Sequence, residues 1–522
     1  MLTRRQLVRS GALAAGSFTI APAFWRTARA SAASPARPAA GPYGEIGPAD
    51  TNGIRLPKGF SSRVIARGGQ PVLGTGYLLP AFPDGSATYA LPDGGWILTV
   101  NSEVPSRGGG ASAIVFGPDG AVKDAYRILG NTSGNCAGGK TPWGTWLSCE
   151  EVDDGLIWEC DPTGARPAVV LPALGRFKHE AAAVDPVHQH VYLTEDLGDG
   201  GLYRFTPDRY PELLKGQLEA AIVAPGGKVS WAPIPRPDGG SADPTRKQVA
   251  GMTQFKRGEG IWFDAGIVYV ATTADNKVHA LDTRDQTISL IYDQAAFANS
   301  PMVNPDNVTV SPAGELFVGE DDGGDDPLDL CVITPEGEIA RFLKLTGTQH
   351  GTGEAISEVT GPSLNPAGTR LYVSSQRGFG LGVVYEVSGP FRTQRPAGAR
   401  GDAATATKPV RAGAGLLGLE SARTLRLSLL RRRGLAVGLT LPRAATVELT
   451  LRARLTVKPG RPRREVVLAR VTRRIDQGPE AITLSLSKTG RRVLAGRRQV
   501  LGATLTARVD GRRVERRVRL VP

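Results

Sequence analysis

Between residues 94 and 378 one short pattern keeps returning. An apolar run of strand length, with an aromatic or bulky centre, follows a Gly or Asn turn and ends on polar or acidic residues. The instances are GGWILTVNSE (94–103), GTWLSCEE (144–151), HVYLTED (190–196), IVYVATTAD (267–275), ELFVGEDD (315–322) and RLYVSSQRG (370–378). Their centres, Trp96, Trp146, Tyr192, Tyr269, Phe317 and Tyr372, stand 50, 46, 77, 48 and 55 residues apart. Strand-built units with a period of about 40 to 50 residues are the mark of propeller blades. Five such spacings define six units, and a Pro-rich insertion around residues 207–250 accounts for the long one. Further apolar runs follow several centres, as in GLYRF (201–205), KVHALD (277–282), LCVIT (330–334) and VVYEV (383–387). A β-sandwich also shows strands at intervals, but it does not repeat one marker at this period. Residues 42–390 are therefore expected to form a six-bladed β-propeller.

Beyond it the pattern changes. Residues 391–415 are rich in Arg, Ala, Gly, Thr and Pro and read as a linker. Over 416–522 the alternating runs TLRLSLL, LAVGLTL, TVELTLRARLTV, EVVLARVT, AITLSLS and ATLTARV predict six or seven strands of an immunoglobulin-like β-sandwich. The expected fold class is all-β. Composition agrees: with 66 Gly and 39 Pro, about one residue in five forms turns, which disfavours long helical bundles. A 41% apolar, 22% charged chain is neither wholly disordered nor a polytopic membrane protein.

The net charge of +13 hides a division. Residues 1–30 carry five Arg and no acid, and residues 391–522 carry 28 Arg and 3 Lys against 8 acids. The remainder, 31–390, has 27 basic and 42 acidic residues, so an acidic body precedes a basic tail domain. Aromatics are absent after Phe391, which argues against nucleic acid as the partner of that tail. An anionic cell-envelope polymer or lipid head group is the better expectation, beside a basic but inert appendage.

At the N-terminus, Thr3-Arg4-Arg5-Gln6-Leu7-Val8, the apolar stretch from Gly11 to Trp25 and Ala28-Arg29-Ala30 fit a twin-arginine (Tat) signal peptide over 1–30. The Tat export machinery is thus an expected partner, and the location is periplasmic, envelope-associated or extracellular. Residues 31–41 read as a disordered tether. The cysteines are Cys136, Cys149, Cys160 and Cys331, without a CxxC, which excludes a disulfide-built scaffold and a zinc ribbon. Cys149 and Cys160 could pair in an exported protein.

In a propeller the loops at one face converge on the axis. Several predicted strands end there in acids: Glu103, Glu150 and Glu151, Glu195 and Asp196, and Glu320 to Asp322, with Glu180 and Glu259 nearby. Converging carboxylates repel unless their pKa values rise, arginines pair with them or cations bind. Oxygen-rich sites suit calcium, and carboxylates with a thiolate suit iron. Taken singly, each acid at a turn is more often solvated or capping; recurrence lifts the group. The run DDGGDDPLD (321–329) is only loosely like a calcium loop. Five scattered histidines argue against a zinc hydrolase, and neither GxSxG nor HExxH occurs.

The stretch NCAGGKTPWGTWLSCEE (135–151) resembles the PhoX family of exported bacterial alkaline phosphatases. LPKGF (56–60), FKHEAAAVDP (177–186), VYLTED (191–196), RGEGIWFD (257–264), NPDNV (304–308) and GED (319–321) follow in the family's order. The likeness covers about residues 42–390 and implies a phosphate monoester hydrolase with two ferric ions and two or three calcium ions. It implies Cys136 as the thiolate ligand of iron. It makes Glu150, Glu151, Glu180, Glu195, Glu259 and Glu320 candidate metal ligands. Arg257 and Glu259 are the implied catalytic pair, with Arg257 as the phosphate-binding arginine, for which an ion pair with Glu259 is the competing role. Two features depart from the family: Asn101-Ser102-Glu103 has Ser where relatives commonly have His, and a C-terminal domain is added. The chain is expected to be a monomer. A calcium-dependent lactonase and a non-catalytic propeller binding calcium and a ligand remain the alternatives of other classes.

Overall fold

The computed structural model describes residues 36–321, 328–350, 357–395 and, with short gaps, 418–521. The twin-arginine stretch, the acidic run from Asp322 to 327 and most of the expected linker lie outside the described residues. The chain divides into two compact units, Met1–Ala404 and Thr405–Pro522. No helix among the described residues is long and apolar enough to cross a membrane.

The first unit contains, among the described residues, six sheets, antiparallel except for one short parallel pair. Each of the six aromatic markers sits in the second strand of one of them: Trp96–Ser102, Trp146–Cys149, His190–Glu195, Ile267–Thr272, Leu316–Glu320 and Arg370–Ser375. The first strands are Pro83–Ala90, Gly139–Lys140, His179–Asp185, Gly258–Asp264, Pro305–Val310 and Val359–Leu364. Each packs against the next, and the last against the first, so they surround an axis. Each gap between neighbouring sheets holds one apolar cluster. A second strand is thus covered on both faces, which is why its sequence reads as a near-continuous apolar run instead of alternating. Between the sixth and first sheets Trp96 stacks on Phe116 and donates its indole N–H to the Tyr372 hydroxyl at 2.9 Å.

The ring closes through the N-terminal part of the unit. Ser61–Arg67 forms the outer strand of the sixth sheet, paired with Val383–Ser388 from Ser61↔Ser388 to Arg67↔Val383. This covers an edge that would otherwise expose unpaired backbone groups. The long third spacing becomes two further strands of the third sheet, Glu212–Val223 and Val229–Pro233. Two single 3-10 turns, Gly240–Ala242 and Thr245–Lys247, follow them.

Three sequence expectations need correction. Residues 36–41 are not a disordered tether, because Arg37–Pro38 pairs in parallel with the outer strand Glu338–Leu345 and Ala36 is buried. The start of the expected linker also belongs to the first unit. Phe391 packs edge-on against Tyr43 and Phe60, Arg392 lies 3.3 Å from Glu315, and Arg395 pairs with Asp264. The four cysteines are free and buried. The register sets Cys149 opposite Ile157 and Cys160 opposite Trp146, so the two are not cross-strand partners.

The second unit has a three-stranded and a five-stranded sheet around one core, eight strands among the described residues where six or seven were expected. Alternation is clear in Ala445–Leu455, whose Val447, Leu449, Leu451, Ala453 and Leu455 enter that core. A short helix, Lys488–Leu494, is capped by Ser487, whose hydroxyl accepts from the Gly490 N–H at 2.9 Å.

Candidate metal centre at the axis

The site arises from one local irregularity repeated around the ring. In five sheets the pairing of first and second strands slips between Pro83 and Ser86, His179 and Ala182, Gly258 and Ile261, Pro305 and Val308, and Thr360 and Ser363. In the remaining sheet the bridge Asn135↔Glu150 is likewise out of step with the Gly139↔Leu147 pair. Such bulges re-aim a side chain without ending the sheet. The first residue inside the slip is Asp84, Cys136, Glu180, Glu259, Asp306 or Gly361. Five of the six equivalent positions therefore hold a carboxylate or a thiol. A second set, Glu103, Glu151, Asp196 and Asp321, follows the last paired residue of the neighbouring strand.

Small residues allow this convergence. A Cβ on Gly85 would overlap the carbonyl of Ala137, and one on Gly260 would press against the backbone of Asp306 and Val308. Hydrogen bonds tie the sheets together at the same level: Asn101 Nδ2 donates to the Cys136 carbonyl at 2.6 Å, and Thr194 Oγ1 to that of Glu259 at 2.6 Å.

The resulting cavity has a volume of about 400 Å³. Glu103, Glu151, Glu180, Asp196, Glu259, Asp306, Asp321 and Glu358 line it with Cys136, and among the described residues the only lining cations are Arg257 and Arg377. Asp84 lies fully buried alongside, its Oδ2 accepting from Gln376 Nε2 at 2.6 Å. Potential ligand atoms gather within 4.8 Å in three groups: Asp84, Glu103 and Cys136; Cys136, Glu151 and Glu180; and Glu180, Glu259 and Asp306. Because Cys136 belongs to two groups and Glu180 to two, the three form one connected row.

Burial raises the pKa of these acids and their neighbours raise it further. Asp84 is pushed to about 7 by burial and Glu103, and Glu151 to about 8 by burial and Glu103. Glu180, Glu259, Asp306 and Glu358 are raised well beyond the usual carboxylate range, burial first and fellow carboxylates next. The Cys136 thiol is raised by burial, then by Asp84 and Glu180. Glu180 Oε2 is buried without a hydrogen-bond partner. An anionic row with an unsatisfied oxygen fits bound cations, which would reverse every one of these shifts. The donor set fits too: oxygens for hard ions and one sulfur for a softer one.

Two arginines and a lysine answer this charge. Arg257 holds Asp196 through Nε at 2.8 Å and Nη2 at 3.2 Å, and lies 3.1 Å from Glu259 and 3.5 Å from Asp321. It does so in a left-handed backbone conformation, φ 50°, a strain that tends to occur where a side chain must be aimed. Despite its burial, Asp196 is held below the usual carboxylate value by Arg257. Arg377 pairs with Glu358, and Lys178 Nζ lies 3.1 Å from Glu151.

Of the residues singled out in sequence, Cys136, Glu151, Glu180, Arg257 and Glu259 meet at this cavity. Glu150, Glu195 and Glu320 do not. Each is the last paired residue of its strand, and successive side chains on a strand point to opposite faces. Glu150 accepts from Ser133 N at 2.9 Å and Trp158 Nε1 at 3.0 Å. Glu195 accepts from the Tyr203 hydroxyl at 2.6 Å and Arg246 Nη1 at 3.1 Å, and Glu320 from the backbone of Val303 and Asp329, both at 2.8 Å. These three brace loops. Among the described residues no histidine lines the cavity; His179 is buried on Phe177, and burial lowers its pKa to about 3.

Sequence reasoning missed Asp84, Asp306, Glu358, Lys178 and Arg377. A signal for the first two existed: Asp84, Cys136, Glu180, Glu259 and Asp306 precede their markers by 12, 10, 12, 10 and 11 residues.

The model of the family described as alkaline phosphatase PhoX matches residues 94–157, 152–289 and 282–378, together more than half of the chain. Among solved structures, Pseudomonas fluorescens PhoX in complex with vanadate, a transition state analogue, is similar at 19% identity with a TM-score of 0.55. The match covers 68% of this chain and 99% of that one. Weaker likenesses include a gluconolactonase from Xanthomonas campestris, at 15% identity, TM-score 0.40 and coverage of 67% and 99%. Another is the calcium-binding protein regucalcin from Agrobacterium tumefaciens, at 14%, 0.36 and coverage of 65% and 98%. Comparison with curated protein sequences found no match. With the family model spanning every one of the converging strand ends from Glu103 to Arg377, the chain belongs to the PhoX alkaline phosphatase family.

Proposed function

We propose that this chain is an exported, metal-dependent phosphatase that hydrolyses phosphate monoesters at the axis of a six-bladed propeller. The carrying observation is one sulfur donor, Cys136, set within a row of buried carboxylates that meets arginines at a single cavity. Two of the three ligand groups contain that sulfur, which suits two iron ions, and the all-oxygen group of Glu180, Glu259 and Asp306 suits calcium. Bound iron and calcium supply Lewis acidity, drawing charge from phosphoryl oxygens and offsetting what builds on them during displacement.

The protein's own groups bind and orient. Arg257 has a planar fork fixed by Asp196 and Glu259 through Nε and Nη2, and its Nη1, with Asp321 only at 3.5 Å, is the edge that meets an equatorial phosphoryl oxygen. Glu259 serves twice, as a ligand and as the carboxylate that holds Arg257 in place. Arg377 and Lys178 at the rim offset the charge of an approaching dianion. A calcium-only lactonase or a calcium-binding propeller has no use for a thiolate among the oxygens, which favours the phosphatase reading over both.

The twin-arginine pattern Arg4-Arg5 supports export, since that route carries proteins already folded around their metals. The C-terminal unit fits an immunoglobulin-like sandwich whose excess of arginine holds anionic envelope polymers, with the chain acting as a monomer. Retention on such polymers that did not weaken with salt would count against that role.

The test is elemental analysis of the purified protein, paired with phosphate release from 4-nitrophenyl phosphate in calcium. Iron near two per chain, with activity abolished by chelation, is expected. Calcium without iron and no phosphate release would overturn the proposal.

A further inference from the structure

A second cavity, of about 130 Å³, opens beside the metal-centre cavity, and Lys178 lines it while also reaching Glu151 at the centre. Its charge is the reverse of its neighbour's: Arg176, Lys178 and Arg246 face, among the described residues, a single acid, Asp153. Phe177 and Leu197 add an apolar seat.

The far wall is built by the insertion that made the third spacing 77 residues long. Gly240, Ser241 and Pro244 line the cavity from the two 3-10 turns. This strap is fixed at several points. Ser241 donates to Asp154 from both its backbone N–H and its hydroxyl, each at 2.9 Å. Thr245 is buried against the Tyr203 hydroxyl at 3.2 Å. Arg246 reaches Glu195 at 3.1 Å and Asp199 at 3.0 Å. Glu195 therefore anchors the strap instead of serving the metals.

The three cations are not equally engaged. Lys178 is held by Glu151 and Asp196, and Arg246 by Glu195 and Asp199, none of which lines this cavity. Arg176 has Asp154 at 3.6 Å, beyond hydrogen-bond length, and its side chain is 49% exposed. Its guanidinium keeps N–H donors for a ligand, in the fork that suits a carboxylate or phosphate.

Resting on the phosphatase reading, we infer that this side cavity receives the alcohol portion of the substrate and selects esters whose alcohol carries a second anionic group. With the phosphoryl group at the metal centre, the carbon chain passes Lys178 and lies along Phe177 and Leu197. Its distal carboxylate or phosphate then meets Arg176.

A matched pair of esters tests this: 3-phosphoglycerate and glycerol 3-phosphate, which differ by a carboxylate in place of a hydroxymethyl group. Turnover and calorimetric binding are measured on the metal-loaded full chain and on R176A and R176E, with 4-nitrophenyl phosphate as reference. Wild type is expected to favour phosphoglycerate by roughly tenfold in kcat/KM, mostly through KM, as one charge-assisted contact provides. R176A should erase the preference and R176E invert it, while 4-nitrophenyl phosphate turnover stays within about twofold. Equal binding of both esters to wild type, or an R176E loss common to all three, would overturn the inference. Absence of turnover on every ester with the calorimetric preference intact would overturn the phosphatase reading and leave the pocket standing.

Discussion

At the scale of the residue, one step along a strand decides whether a carboxylate enters the axial cavity or braces the scaffold. Glu150 and Glu151 are adjacent, yet only Glu151 reaches the cavity. E150Q turns an amide NH₂ towards N–H groups that now find an acceptor, so it should cost about 1–3 kcal/mol of stability while the folded fraction keeps its metals and activity. E151Q should do the opposite, leaving the chelated protein no less stable at neutral pH, because it removes a charge that burial and Glu103 disfavour, while lowering metal content and phosphate release at least tenfold. Denaturant melts beside elemental analysis distinguish the two, and matching profiles would refute the division. Cys136→Ser replaces the sulfur of the ligand row with a harder, far less acidic donor. Iron content and activity should fall together, by two orders of magnitude or more, and a variant that kept both would remove Cys136 from the centre.

At the scale of the element, the bulge is the device that turns a sheet into part of the cavity, and it depends on small residues beside the acids. Gly85→Ala would push against the Ala137 carbonyl, next to Cys136, so it should loosen iron and cost about 1–3 kcal/mol, as overpacking does. Gly76→Ala, with no atom within 4 Å of its added carbon, is the matched control and should change neither. Here the sequence is readable in one respect and opaque in another. Aromatic markers reveal the sheets because a strand covered on both faces must be apolar throughout. Which of two neighbouring acids turns inward depends on a one-residue slip that composition does not display, and so Glu150, Glu195 and Glu320 look like ligands in the sequence alone. Glu358 and Arg377 stayed hidden for another reason: they belong to the sixth sheet, where Gly361 occupies the ligand position and the charges come from flanking turns. The edge role of residues 36–41 was equally invisible, since Arg37–Pro38 pairs with a strand some 300 residues away.

At the scale of the whole molecule, six sheets are drawn together around charges that repel one another, so stability and metal loading are linked through pH. Without cations, Asp84 and Glu151 have folded pKa values of about 7 and 8 against ordinary values of 3.8 and 4.5, and Glu180, Glu259 and Asp306 are raised further. A carboxyl raised on folding contributes fully only below its unfolded value, and the contribution is lost as pH climbs through the folded one. The chelated protein should therefore melt at progressively lower temperature from about pH 5 to pH 8.5, a tenfold difference in proton affinity between folded and unfolded chain being worth about 1.4 kcal/mol. Cations bind the deprotonated row, so their stabilisation grows over the same interval. The gap in melting temperature between loaded and chelated protein should widen by several degrees or more between about pH 5.5 and pH 8.5. Paired calorimetric scans across that range check it. A gap independent of pH would mean that the row does not carry the charge its burial and spacing imply, and that the metals sit elsewhere.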